Sequence, residues 1–109
     1  MATTRKVLGQ VAPAADTDTT LYTVPGATST VVSTLMVANR GSSLAYFRVA
    51  VRPAGMALAN AHYLYYAIPL NASDSFAATL GVTLAATDVV TVRSSSASLS
   101  FGLFGEETS

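Results

Sequence analysis

The stretch Ala45-Tyr46-Phe47-Arg48-Val49-Ala50-Val51-Arg52-Pro53-Ala54-Gly55 decides how this chain is read. Phe47, Val49 and Val51 alternate with Tyr46, Arg48, Ala50 and Arg52, the two-residue period of a strand with one buried and one wetter face. Pro53 removes a ladder donor and Gly55 permits a tight turn, so the strand stops there. The same grammar extends outward in both directions. Upstream, Thr20 to Val24 is a β-rich segment closed by Pro25-Gly26, a pair suited to the central positions of a type II turn. Ser29 to Ala38 follows, with Val31, Leu35 and Val37 on one parity and Val32, Met36 and Ala38 on the other. A strand that apolar on both sides is expected to be central or covered on its outer face. Asn39 to Ser43 predicts a hairpin loop of about five residues into the Phe47 strand.

Downstream, His62 to Ile68 carries Leu64, Tyr66 and Ile68 on one face and Tyr63 and Tyr65 on the other, and Pro69 is expected to end it. Phe76 to Leu80 reads as a shorter strand, Gly81 to Asp88 as an irregular connection, and Val89 to Arg93 as a further strand. Ser94-Ser95-Ser96 turns into Ala97 to Phe104, where Leu99, Phe101 and Leu103 alternate with Ser98, Ser100 and Gly102. Glu106 to Ser109 is expected to fray into solvent. Gly55 to His62 reads as a loop with a helical turn. Residues 1–15 have no clean period and read as an extended N-terminal arm or an edge strand, leaving 16–109 as the domain. The fold class is therefore all-β: a single antiparallel β-sandwich of seven or eight strands.

Composition narrows the function. A chain of 109 residues makes one domain, and its six basic residues are balanced by six acidic ones, for zero net charge. That removes the electrostatic footprint of a nucleic-acid binder and of a polybasic membrane arm. Cysteine is absent, so thiolate metal sites and thiol catalysis are excluded. Charged residues make up only 11% of the chain, against the roughly 25–35% usual on a free-standing soluble surface. Fourteen threonines, twelve serines and nineteen alanines take their place, a weakly hydrated covering that predicts packing against another subunit. No apolar run approaches the roughly 20 residues of a membrane-spanning helix. The N-terminus lacks the apolar core of a signal peptide, so the protein is expected in the compartment where it is made.

Chemistry-bearing constellations are sparse. His62 is the only imidazole, and no Gly-x-Ser-x-Gly elbow surrounds any serine that could use it with Asp74 or Asp88. Asp16-Thr17-Asp18 resembles the start of a calcium loop, without the glycine and glutamate that must follow. The glycines are dispersed, so no phosphate cradle forms. No enzyme activity, metal or cofactor is expected. The aromatic set Tyr46, Tyr63, Tyr65 and Tyr66, with Arg48, Arg52 and Arg93, is the recognition candidate, because Tyr and Arg dominate interface hot spots. It predicts a subunit boundary, with sugar stacking on the tyrosines as the competing reading.

The segments Leu21-Tyr22-Thr23-Val24-Pro25, Val31 to Arg40 (VVSTLMVANR) and Tyr46 to Val51 (YFRVAV), then Gly81-Val82-Thr83-Leu84, Asp88 to Val92 and Leu99 to Gly105 (LSFGLFG) form a recognisable succession. Over roughly residues 20–105 it resembles small virion structural proteins of tailed bacteriophages. The resemblance implies a β-sandwich of jelly-roll type, commonly trimeric, with no catalytic residue to carry over. Asp88, directly before a β-branched run, is placed to bond backbone donors at the strand entrance, and Gly81 to adopt a conformation forbidden to other residues. The resulting expectation is a capsid decoration or cement protein: a homotrimer that binds the major capsid protein on the virion surface, made in the host cytoplasm. Tail, baseplate or fibre component is the second reading, and a carbohydrate-binding module the third. The interface candidates are Arg5, Lys6, Val7 and Leu8 of the arm, reaching across an adjoining subunit, with Tyr46, Arg48, Tyr63 and Tyr65.

Overall fold

A computed structural model describes residues 2–109. Eight strands run β1 (Thr3–Val11), β2 (Thr19–Thr23), β3 (Ser29–Asn39), β4 (Ala45–Arg52), β5 (Tyr63–Leu70), β6 (Ser75–Leu84), β7 (Val89–Ser94) and β8 (Leu99–Thr108). They form two four-stranded sheets, ordered β1-β8-β3-β6 and β2-β7-β4-β5. Every neighbouring pair is antiparallel. First pairs with last, second with seventh, third with sixth and fourth with fifth, so the chain is one long hairpin rolled across two sheets. This is a jelly roll, the eight-stranded double-sheet way of limiting exposed strand edges.

Between the sheets lie Val32, Leu35 and Val37 of β3, Phe47 and Val49 of β4, Val90 and Val92 of β7, and Leu99, Phe101 and Leu103 of β8. Phe47 is fully buried, with its ring centroid 5.2 Å from that of Phe76 and 6.0 Å from that of Phe101. The predicted inward set of the Phe47 strand is thus the core set.

β3 is an inner strand of the first sheet, as its sequence leads one to expect, but its two apolar parities have a local cause. Its inward residues are Thr30 and Val32, then Leu35, Val37 and Asn39; the parity changes at Ser33, where the register shifts against β8. The bulge, not a cover on both faces, explains why apolar residues fall on both parities. No hairpin joins β3 to β4, because they belong to different sheets. Buried Asn39 organises that crossing. Its amide donates to the carbonyls of Ser43 (2.9 Å) and Leu70 (3.1 Å), and its oxygen accepts from Gly41 N–H (2.9 Å) and the Ser98 hydroxyl (3.0 Å).

At the opposite end Asp88 accepts from the backbone N–H groups of Ala54 and Ala85, each at 2.9 Å. Gly81 has φ +64° and lies inside β6, which runs on to Leu84 instead of breaking into a loop at residue 81. Pro69 lies within β5, an edge strand where a missing donor is tolerated. After Pro25 the left-handed residue is Ala27 (φ 55°), not Gly26. The helical turn expected between Gly55 and His62 is the 3₁₀ turn Asn60–His62, and a second 3₁₀ turn, Pro53–Gly55, leads into the segment.

The chain ends are part of the sheet. Residues 3–11 form edge strand β1 along β8, and the frayed C-terminus expected from Glu106 onward is replaced by strand out to Thr108. β8 runs between β1 and β3, and a Cβ at Gly105 would collide with the Val31 carbonyl oxygen. Glu107 points inward and accepts a 2.5 Å hydrogen bond from the Tyr22 hydroxyl, which also meets Thr30 Oγ1 at 2.8 Å. Lys6 Nζ lies 3.3 Å from the other Glu107 oxygen. This chain of contacts ties β2 in one sheet to β1, β3 and β8 in the other.

Burial, with Glu107 beside it, pushes the Tyr22 phenol up to about 12. The Tyr22 hydroxyl in turn holds Glu107 below its ordinary carboxylate value. The raised phenol contributes stability that is complete below about pH 10 and lost towards about pH 12. The lowered carboxyl contributes stability that is complete above the ordinary carboxylate range and lost as pH falls through its folded value. Tyr22→Phe should therefore cost about 1–3 kcal/mol near neutrality. The gap from wild type should narrow as pH falls below the ordinary carboxylate range and Glu107 takes up its proton; urea titrations at neutral pH and through the acid range check this. Deleting residues 2–12 strips an edge strand together with the Leu8 and Val11 contacts, and should lower stability by about 3 kcal/mol or more, read as a fall in thermal midpoint.

Candidate interaction surfaces

The two outer faces of the sandwich differ. On the second sheet, the segment from Pro53 to His62 folds over one end. Arg52 holds it there, bonding Thr91 Oγ1 (3.0 Å) on its own sheet and the Gly55 and Met56 carbonyls (3.2 and 2.9 Å) on the segment. Ala50, Val89 and Thr91, which face outward at that end, are buried.

On the first sheet, small and apolar side chains face outward. Val7, Val31 and Met36 are 49%, 39% and 38% exposed, and Ser33, Ala38, Ala77 and Thr79 are exposed around them. The Phe104 ring lies over Gly102, whose missing side chain makes room for it: a Cβ there would come within 3.0 Å of the ring. The ring forms a ridge between two open troughs of about 450 and 200 Å³. Charge is confined to the ends of this face, with Arg5 paired to Glu106 (3.5 Å) at one. At the other, Arg40 is tied to Ser100 Oγ (2.6 Å) and the Ala97 carbonyl (3.0 Å).

Of the N-terminal candidates, Arg5 and Val7 therefore lie on this face, while Lys6 turns to Glu107. Leu8 packs partly buried against the core: it is the extra residue where β1 bulges against β8, which turns its side chain inward. The backbone of these residues is paired with β8, so they do not form an arm reaching away from the sandwich.

The tyrosines divide in a way that simple alternation does not predict. Two register shifts and a positive φ at Ala67 (53°) break the period of β5. Tyr65 consequently turns in, opposite Val49, with its ring centroid 5.4 Å from that of Phe76, at the margin of the core. Tyr63 and Tyr66 meet edge to face at 4.9 Å. The Arg48 guanidinium lies 4.2 Å from the Tyr66 ring centre, a cation–π contact. Tyr46, 47% exposed, and Tyr66, 56% exposed, complete the outer set. Tyr46, Arg48, Ala67, Arg93, Ser94, Ser95 and Asp16 line an open groove of about 370 Å³. Sequence periodicity does not bring Val31, Met36 and Phe104 together, because only the β3 bulge and the sheet order show that they share a face.

His62 Nδ1 accepts from the Ala59 N–H (3.1 Å). Asp88 bonds two backbone amides, and Asp74 Oδ1 accepts from the Ser75 N–H (2.8 Å). The carboxylates thus serve loops. Among the described residues, no group of three His, Cys, Asp or Glu side chains could hold a metal ion. No protein-family model matches the chain, and no curated protein matches it in sequence.

The division of the tyrosines gives a direct test. Tyr65→Ala should cost about 3 kcal/mol in urea unfolding by opening the Phe47–Phe76 cluster, whereas Tyr63→Ala should cost under about 1 kcal/mol.

Proposed function

We propose that this protein is a phage virion structural protein, specifically a capsid decoration protein that self-associates as a homotrimer and stabilises the major capsid shell. The observation that carries the reading is the outer face of the first sheet, uncharged across its middle and crossed by Phe104, Met36, Val31 and Val7. Such a face is suited to burial against another protein surface, where each Å² of apolar area is worth about 25 cal/mol before association costs are subtracted. The strand edges favour the same mode. The pairings that involve edge strands β1, β2, β5 and β6 all carry register shifts, a device that discourages strand-to-strand addition and leaves face packing as the route to assembly. The jelly roll is also an architecture of viral capsid proteins, a fold-level analogy that adds to the sequence resemblance. The role is mechanical, with no catalytic step and no cofactor. A tail or baseplate position is the second reading and would use the same face.

Quantitative mass spectrometry of purified parent particles tests the proposal. The expected result is a copy number comparable to that of the major shell protein. A small fraction assigns the chain to the tail, and absence from particles overturns both readings. Met36→Lys sets a charge in the middle of the face and should lower particle occupancy at least tenfold, an effect of about 1.4 kcal/mol, while leaving the thermal midpoint of the isolated protein nearly unchanged.

A further inference from the structure

The groove on the outer face of the second sheet contains an arrangement that does not serve the fold. Arg48 of β4 and Arg93 of β7 are direct cross-strand partners, and like charges directly opposite one another destabilise a sheet. Arg93 is relieved by Asp18 at 3.4 Å. Among the described residues, Arg48 meets the Tyr66 ring and no carboxylate partner. Asp16 stands on the same groove, positioned by its backbone: its N–H donates to the Ser94 carbonyl at 2.7 Å, and its φ is 53°. Its carboxylate takes part in no ion pair among the described residues. An unpaired cation and an unpaired anion thus share one groove without meeting each other. Local departures from fold-optimal choices of this kind concentrate at functional sites.

The remaining walls indicate the ligand. Ser95 Oγ accepts the Tyr46 N–H (2.9 Å), which leaves the serine hydroxyl free to donate. The exposed Tyr46 ring offers an apolar surface with a polar tip. Ala67, at the β5 bulge, has only a methyl group to place in the groove. Arg93 is neutralised by Asp18 and the charge of Arg48 is matched by that of Asp16 on the same groove, so there is no excess positive charge of the kind a phosphate group calls for. The volume, about 370 Å³, falls within the roughly 300–1,000 Å³ of small-ligand sites. The groove lies on a sheet face, whereas extended peptides are recognised by adding to an edge.

We propose that this groove binds a saccharide. The Arg48 fork donates to adjacent ring hydroxyls, Asp16 accepts from another, and Tyr46 packs against the C–H face of the sugar. The site lies on the opposite outer face from the Phe104 ridge, so a protein attached through the first sheet would present it outward. The inference does not depend on the virion reading.

The test is binding of the labelled full-length protein to an array of immobilised neutral and acidic oligosaccharides that includes bacterial surface glycans. It is repeated with Arg48→Gln, Asp16→Asn and, as a control on the other face, Met36→Lys. Circular dichroism and thermal midpoints show that each variant is folded, and asparagine accepts the positive φ at position 16. The expected result is retention of at least one saccharide by the wild type, weakened tenfold or more by Arg48→Gln and by Asp16→Asn and unchanged by Met36→Lys. Three outcomes would overturn the proposal: no saccharide retained by the wild type, retention indifferent to both groove variants, or binding of acidic glycans alone that Arg48→Gln abolishes and Asp16→Asn leaves intact. Loss of binding in Met36→Lys would also refute it, by moving the site to the first sheet.

Discussion

The pairing of the last strand with the first and the third is the constraint on which the rest of this structure depends. β8 fills the gap between β1 and β3 and supplies Leu99, Phe101 and Leu103 to the core. Its far end carries Glu107 to Tyr22 and Lys6. Without it the first sheet would separate into an isolated edge strand and a β3–β6 ribbon, and two-stranded ribbons are marginal in water. Closure of the whole chain therefore comes before the first sheet is complete. That cost in loop entropy is met by contacts distant in sequence, and it makes a jelly roll slow to form in comparison with a helical domain of the same size.

Closure also sets what the surface can do. Because the strands are rolled into two sheets, the protein has two broad outer faces and four edges, and register shifts in the pairings of the edge strands disfavour further strand addition. Recognition is left to the faces. One is plain, with small side chains and an aromatic ridge; the other is half covered by the Pro53–His62 segment and carries a charged groove on what remains. Low charge, which looked from composition like a general tendency to associate, is in the structure a property of one face.

Two polar residues show how a chain with so few charges uses them. Asn39 has its side-chain hydrogen bonds taken up at one end of the sandwich, and Asp88 binds two loop amides at the other. Each satisfies backbone groups where strands leave the sheets, and an unpaired buried group there would cost about 1–3 kcal/mol. The entrance role expected for Asp88 follows from its position before a β-branched run. The role of Asn39 does not, because its partners come from its own following loop, from the end of β5 and from the loop before β8.

By itself the sequence determined the class of fold, the position of nearly every strand, the inward set of β4 and the conformation of Gly81. These follow from a period of two and from turn chemistry, which act over a few residues. Only the tertiary structure decided which strands are partners, and with them the bulges at Leu8, Ser33 and Ala67 that turn Leu8 and Tyr65 inward and set Val31 beside Met36 and Phe104. A bulge is a mismatch between two paired strands, and no single strand encodes it without its partner. The charged C-terminus reads as fraying for the same reason: Glu107 acquires its role only when Tyr22, far away in sequence, is brought across the core to meet it.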